Sequence, residues 1–398
     1  MIIVNTREKL PTTMVKSIFL AGPTSRNPKD KSWREDAIAI LEKLGYNGHV
    51  FTPEYRDNKE IDLGPDEEYK AQVQWEEDAL NQADIIVFWI PREIKTLPGF
   101  TTNIEYGVWS DSGKVVLGYP KTAEKMRYLQ HYAEKYNIPT SNSLEETLKL
   151  AVDKIGVGAM RLGGEAQVPL HIWKHPTFQG WLNSQKENSN ELRHARVLWS
   201  FRPRYKDFVF CWVLQVHVYI AAEKREKINE FVLARTDISS AVLYYNPKSF
   251  FESKEDLLQT KVILVKEFRS PARTEDSFIT ELPSGSSSNP KLDQREVIVK
   301  ELEEETSFKL NPNRFRFIGS RQLSGTFSAH ISSLFSARLT SEEYDGLKKL
   351  ADSGQVFGNI EDTEMTYIEA MSVQELLRSN RLDWSNIGMI FESLIMEQ

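Results

Sequence analysis

From Ser17 to Ile155, short apolar runs alternate with stretches whose apolar positions recur every three or four residues. Ser17 to Ala21, His49 to Thr52, Asp84 to Ile90 and Lys114 to Gly118 read as strands. Trp33 to Leu44, Tyr69 to Gln82, Asn103 to Ser110 and Leu144 to Ile155 read as helices. Strands without a polar face are buried on both sides, which needs helices above and below a parallel sheet. The pattern therefore predicts an α/β domain over residues 14–157, a doubly wound parallel sheet of flavodoxin or Rossmann type. Residues 1–13 are more polar and read as an N-terminal extension.

Gly156, Gly158, Gly163 and Gly164 punctuate the next stretch and mark a boundary. Residues 158–195 read as an aromatic-rich connector carrying Trp173, Phe178 and Trp181, expected at an interdomain or dimer contact. From 196 to 398 the chain turns mostly to strands: Val197–Phe201, Phe208–Ile220, Phe231–Arg235, Ala241–Tyr245 and Val262–Phe268. An acidic helix near residue 300, strands near Phe315–Leu323 and Ile331–Leu339, and a helix from Asp383 to Met396 complete an α+β domain with a mixed sheet.

At 398 residues, two domains are the natural division. No apolar run is long enough to span a bilayer, and the first residues lack a secretory pattern, so the expected location is cytoplasmic. A net charge of −7 argues against a general nucleic-acid binder. Cys211 is the only cysteine, which excludes an internal disulfide; among Phe208, Phe210 and Trp212 it is expected to be buried and inert.

Two acidic constellations carry candidate chemistry. At about 100° per residue on a helix, Glu301, Glu304 and Glu305 share one face. Like charges three and four residues apart repel, so that face is either simply solvated or completed by a cation. Mg²⁺ takes carboxylate oxygens with water and substrate phosphates. The second constellation is Glu105, in Pro98 to Gly107 after the apolar strand at 84–90. In open parallel sheets ligands gather at the carboxyl ends of strands, so Glu105 either caps helix N–H groups or attacks an anomeric carbon as a nucleophile. A helix N-terminus would favour its ionised form. Gly22 is placed for close backbone approach to a ligand, and Arg34 for a phosphate or for solvent.

The pieces Phe19-Leu20-Ala21-Gly22-Pro23-Thr24, Trp33-Arg34, Phe51-Thr52-Pro53-Glu54, Trp75 to Leu80, Ala83-Asp84, Gly99 to Gly107 and Gly113 to Gly118 together resemble the nucleoside 2-deoxyribosyltransferases, especially their "like" branch. The resemblance puts the family's nucleophile on Glu105 and its acidic partner on Glu76, with Asp78 as rival. It puts substrate contacts on Gly22, Pro23, Thr24, Arg34 and Asn103, and implies a homo-oligomer and nucleoside or nucleotide substrates. A further family Asp falls on Gly99, which opens hydrolysis by water as well as transfer. The run Glu281-Leu282-Pro283-Ser284-Gly285, the helix from Lys300 and the strand Val262 to Pro271 resemble Nudix hydrolases of the ADP-ribose pyrophosphatase branch. That likeness implies Mg²⁺ or Mn²⁺ on Glu301, Glu304, Glu305 and Ser284, a substrate contact at Arg269, and His330 where a catalytic Glu stands. Departures from the pattern are Lys300 for Arg, Ser307 for Gly, and no Glu at the expected place before the helix, where Asp293 is the nearest acid. The two likenesses imply a bifunctional enzyme, a glycosidase or transferase joined to a diphosphate hydrolase. NAD cleaved to ADP-ribose is one substrate chain; a Nudix domain that only senses nucleotide is the alternative.

Overall fold

The computed structural model describes residues 1–24, 31–55, 65–203, 208–248, 252–287, 289, 292–359 and 363–396. Part of the polar loop read at Ser284 to Pro290 lies outside the described residues. The chain divides into two compact units, Met1–Ala234 and Arg235–Gln398. Residues 196–234, grouped by sequence with the second domain, therefore pack with the first unit.

The first unit holds a six-stranded sheet: β1 (Ile2–Asn5), β2 (Ser17–Ala21), β3 (His49–Thr52), β4 (Ile85–Trp89), β5 (Val115–Gly118) and β6 (Thr140–Ser141), in the order β1-β3-β2-β4-β5-β6. All five pairings are parallel. Alternate residues serve opposite cores. Phe19, Phe51, Ile86 and Phe88 face one layer with Trp75, Ala79 and Tyr106; Ile18, Leu20, Ile85 and Val87 face the other with Leu41 and Leu148. Helices α1 (Trp33–Lys43) and α5 (Leu144–Ile155) thus cover one face, and α2 (Pro65–Gln82), α3 (Phe100–Trp109) and α4 (Arg127–Lys135) the other. This is the doubly wound arrangement expected.

The 1–13 segment is more than an extension: Ile2-Ile3-Val4 forms β1 and pairs with β3 at the sheet edge. A two-residue pairing of Thr13–Met14 with Arg161–Leu162 also carries the chain beyond 157 back onto the sheet domain. Within the segment read as a connector, α6 (Pro176–Glu187) buries Phe178 edge-on against Trp212. These aromatics build the first unit's own core. Trp212 lies in β8 (Cys211–Ile220), the middle strand of a three-stranded sheet with β7 (Glu191–Phe201) and β9 (Arg225–Arg235). Cys211 is half-buried, not sealed as the surrounding aromatics suggested.

The second unit is a mixed eight-stranded sheet. Its path is β14 (Arg316–Gln322), β15 (Ile331–Arg338), β10 (Ile238–Tyr245), β11 (Lys261–Phe268), β17 (Thr366–Ser372) and β16 (Val356–Phe357); β12 (Phe278–Glu281) pairs with β11 and β13 (Ser284–Gly285) with β10. The β10–β15 pair is parallel and the remainder antiparallel. Helices α7 (Gln294–Thr306) and α8 (Ser341–Ser353) pack on one face through Ile298, Leu302 and Leu347. The opposite face is covered by α9 (Val373–Arg378) and α10 (Trp384–Met396), through Val373, Leu376, Ile390 and Leu394. Among the described residues, no helix is long and apolar enough to cross a membrane.

Candidate functional site

Strand order reverses between β2 and β4, and a cleft of about 480 Å³ opens at their carboxyl ends. Glu105 and Glu76 both line it, together with Gly22, Pro23 and Thr24. Gly22 has φ +151°, and a Cβ there would stand 2.2 Å from the Trp89 carbonyl oxygen. Only glycine lets β2 turn so tightly against the end of β4, which keeps the floor of the cleft open.

Helix α3 begins at Phe100, so Glu105 stands in its second turn. The helix dipole acts mainly within the first turn. Burial and the nearby Glu76 carboxylate dominate instead and push the Glu105 pKa up to about 7, with Arg34 opposing. Burial also raises Glu76, which accepts a hydrogen bond from Gln72 Nε2 at 2.9 Å and feels the Arg34 charge. The expectation of a helix terminus holding Glu105 ionised thus gives way to a carboxylate poised near neutrality. Asp78 is exposed, bonded to Gln74 at 3.1 Å, and absent from the cleft lining. Two residues from Glu76 on a helix is about 200° around the axis, so only one of the pair can face the ligand.

Arg34 neither meets solvent nor offers a vacant fork. It is 1% exposed and spans the cleft's supporting loop. Its Nε donates to Leu20 O at 3.0 Å, Nη1 to Thr24 Oγ1 at 3.0 Å and Glu54 Oε1 at 2.7 Å, and Nη2 to Gly22 O at 2.7 Å. Its charge reaches both cleft carboxylates, and its geometry fixes the Gly22–Thr24 turn. Asn103 accepts from Arg92 and lies outside the cleft lining. Sequence reasoning missed Tyr69, Gln72 and Phe100 in the cleft wall; the spacing of Gln72 four residues before Glu76 was the available signal.

In the second unit, α7 sets its carboxylates at graded depths. Glu305 is half-buried and raised well above its ordinary pKa by burial, with Glu301, Glu281 and Glu267 adding repulsion. Its Oε2 accepts from Ser284 N at 3.2 Å. Glu301 is pushed up to about 7 by burial and by Glu304. Glu304 is exposed and paired with Lys300 at 3.3 Å. The trio therefore does not form a ready cage: among the described residues, no three His, Cys, Asp or Glu side chains gather closely enough to hold a metal ion as they stand. What remains is a pair, Glu301 and Glu305, crowded by like charge. Mg²⁺ commonly uses one or two protein carboxylates and completes its shell from phosphate and water, so this donor set fits such an ion.

Arg269 gives its guanidinium to Glu281 at 2.7 Å and Glu267 at 2.9 Å, tying β11 to β12 rather than presenting a vacant fork. Ser284 contributes its backbone N–H to Glu305. Asp293 is the N-cap of α7, accepting from Arg295 N at 2.7 Å. Ser307 ends the helix at φ +53°, the left-handed conformation that glycine favours. His330 is buried, its Nδ1 has no hydrogen-bond partner, and burial with the Arg235 charge lowers its pKa. It stands neutral.

Fold and cleft together define an open α/β domain with a cleft at its topological switch point, lined by two carboxylates. Residues 15–123, a little over a quarter of the chain, match the family model described as "Nucleoside 2-deoxyribosyltransferase like". The matched stretch ends before Arg235, so it bears on the first unit alone. No curated protein matches the chain.

Proposed function

We propose that the first unit breaks or exchanges the N-glycosidic bond of a nucleoside or nucleotide. The observation that carries this is the meeting of Glu105 and Glu76 in one cleft at the carboxyl ends of β2 and β4. Glu105, once ionised, attacks the anomeric carbon; the C–N bond breaks and its electron pair leaves with the base. Glu76, whose pKa burial raises, stands beside it as the candidate donor of the proton that the departing base requires. Water or a second base then takes the sugar from the Glu105 ester. With NAD the leaving nicotinamide is neutral without protonation, and the product with water is ADP-ribose. A homo-oligomer belongs to the same reading, supported by Phe100, Ile104 and Val108, which leave an apolar stripe exposed on α3.

The second unit, on this reading, hydrolyses a diphosphate-linked nucleotide such as ADP-ribose, with Glu301 and Glu305 as the principal ligands of Mg²⁺ or Mn²⁺. The ion, when bound, would neutralise phosphate charge and polarise the attacking water. One observation favours the sensing alternative: Glu304 is held by Lys300 and His330 is buried, so neither of these expected groups stands open to an attacking water.

The deciding experiment incubates the full chain with deoxynucleosides, nucleotides, NAD and ADP-ribose plus Mg²⁺, with products read by mass spectrometry. Base release that disappears in Glu105→Ala is expected; no release across the panel would sink the glycosidase. AMP formed from ADP-ribose and lost in Glu301→Gln supports hydrolysis, whereas tight binding with intact ADP-ribose recovered establishes sensing.

A further inference from the structure

A second cavity of about 670 Å³ lies in the first unit at the opposite end of the parallel sheet from Glu105. Its walls come from the segment before β5 (Ser110, Asp111, Gly113), the segment before β6 (Lys135 to Pro139), the end of α5 (Lys154) and the end of β7 (Trp199 to Arg202). Parallel strands place all amino ends on one side, so the cavity stands at the amino ends of β5 and β6, whereas the Glu105 cleft stands at carboxyl ends. Helix α3 runs between them, and its ten residues span about 15 Å.

The chemistry of this lining differs from that of the cleft. Lys135, Lys154 and Arg202 line it, and Asp111 is the one carboxylate among its described lining residues, in a chain of net charge −7. Beside the cations, Trp199 and Phe201 stack with their rings 15° from parallel and 6.0 Å apart, although they remain 50% and 46% exposed. Residues i and i+2 share one face of a strand, so the two rings form a continuous apolar plate. Arg202 is held against Gly113: a Cβ at that glycine would lie 2.2 Å from Nη1, so only a bare backbone lets the guanidinium settle there. Aromatic rings and cations lining one cavity match a ligand that has a flat ring at one end and negative charge at the other.

We infer that this cavity is a second nucleotide site, separate from the Glu105 cleft, in which the base stacks on Trp199 and the phosphates meet Lys135, Lys154 and Arg202. The ligand class is a free nucleoside mono- or diphosphate. The site has room for one nucleotide.

The test is calorimetry on the full chain with AMP, ADP, adenosine, inorganic phosphate and a short oligothymidylate. Trp199→Ala and Lys154→Ala serve as variants, because both side chains are exposed and neither belongs to the cleft. Three nucleotide sites are expected in the unaltered protein: the Glu105 cleft, the second unit and this cavity. One should weaken roughly tenfold or more in Trp199→Ala and weaken for ADP in Lys154→Ala, while base-release kinetics and the circular dichroism spectrum stay unchanged. Nucleotide binding unaffected by either variant would overturn the inference. So would phosphate binding as tightly as ADP, which would mark an anion site only, or an oligothymidylate far outcompeting ADP, which would mark a single-strand site.

Discussion

Arg161 grips Asp84 with both terminal guanidinium nitrogens, Nη1 to Oδ1 at 2.8 Å and Nη2 to Oδ2 at 2.6 Å, and both side chains are buried. Asp84 stands immediately before β4 and also accepts from Ser17 N at 2.9 Å and Leu170 N at 2.8 Å. One carboxylate thus joins β2, β4 and the segment after residue 160. Its place at the strand's start, away from the cleft, makes it a structural group.

Arg161→Met is expected to destabilise the first unit by about 3–5 kcal/mol, because it strands a charge in the core. Paired with Asp84→Asn, the loss should be partly recovered. Urea denaturation of the single and double variants measures both, and equal losses in the two would refute the coupling.

Glu105 titrates near 7 in the folded chain and near 4.5 when unfolded. A raised carboxylate pKa means that ionisation works against folding. The penalty is absent below about 4.5, grows as pH rises, and is complete above about 7. Glu105→Gln should therefore stabilise the fold at pH 8 by roughly 3 kcal/mol, seen as a higher melting temperature, and leave it nearly unchanged at pH 4.5. In the intact enzyme kcat/KM for NAD cleavage, which needs no proton donor, should rise through pH 7 and level off, tracking the ionised nucleophile. Thermal melts and a pH–rate profile check the two halves separately.

Glu76→Gln removes the proton donor but leaves the nucleophile. Base release from ordinary nucleosides should fall by roughly 10²–10⁴-fold, while cleavage of NAD should change far less, since nicotinamide leaves unprotonated. Equal losses on both substrates would remove Glu76 from the acid role.

Gly285→Ala tests the second unit without altering charge. The new Cβ would occupy the place of the Glu301 carboxyl carbon, 2.0 Å away, and push that flexible end aside. Mg²⁺ affinity measured by calorimetry should drop while the melting temperature moves little. Unchanged affinity would mean that Glu301 is not a ligand.

Much of the first unit was legible because its strands are apolar on both faces: Asp84 to Ile90 could only be a central strand, and β4 occupies Ile85–Trp89. Edge elements were not, since β1 is half solvated and its apolar run is short. Helical geometry revealed that three glutamates share a face of α7 but not how deep each would sit. Depth follows the core anchors. With Glu301 at zero, Ile298 and Leu302 point to roughly +60° and +100°, Glu305 to about +40° and Glu304 to about −60°. Glu305 is thus drawn inward and Glu304 turned out. The Arg34 role was invisible because its partners are backbone carbonyls at Leu20 and Gly22, which no side-chain pattern encodes.

Gly99 opens α3 at φ +62°, and a Cβ there would come within 3.3 Å of the Pro23 ring. This is where the resemblance to the transferases would put an acid. Writing aspartate back at that position would therefore ask a side chain to live in an unfavourable backbone basin while crowding the turn that shapes the cleft. A designer who wants such an acid in this scaffold must first redraw Pro23 and the entry to the helix. The vacancy is anchored in the main chain and is wider than one codon.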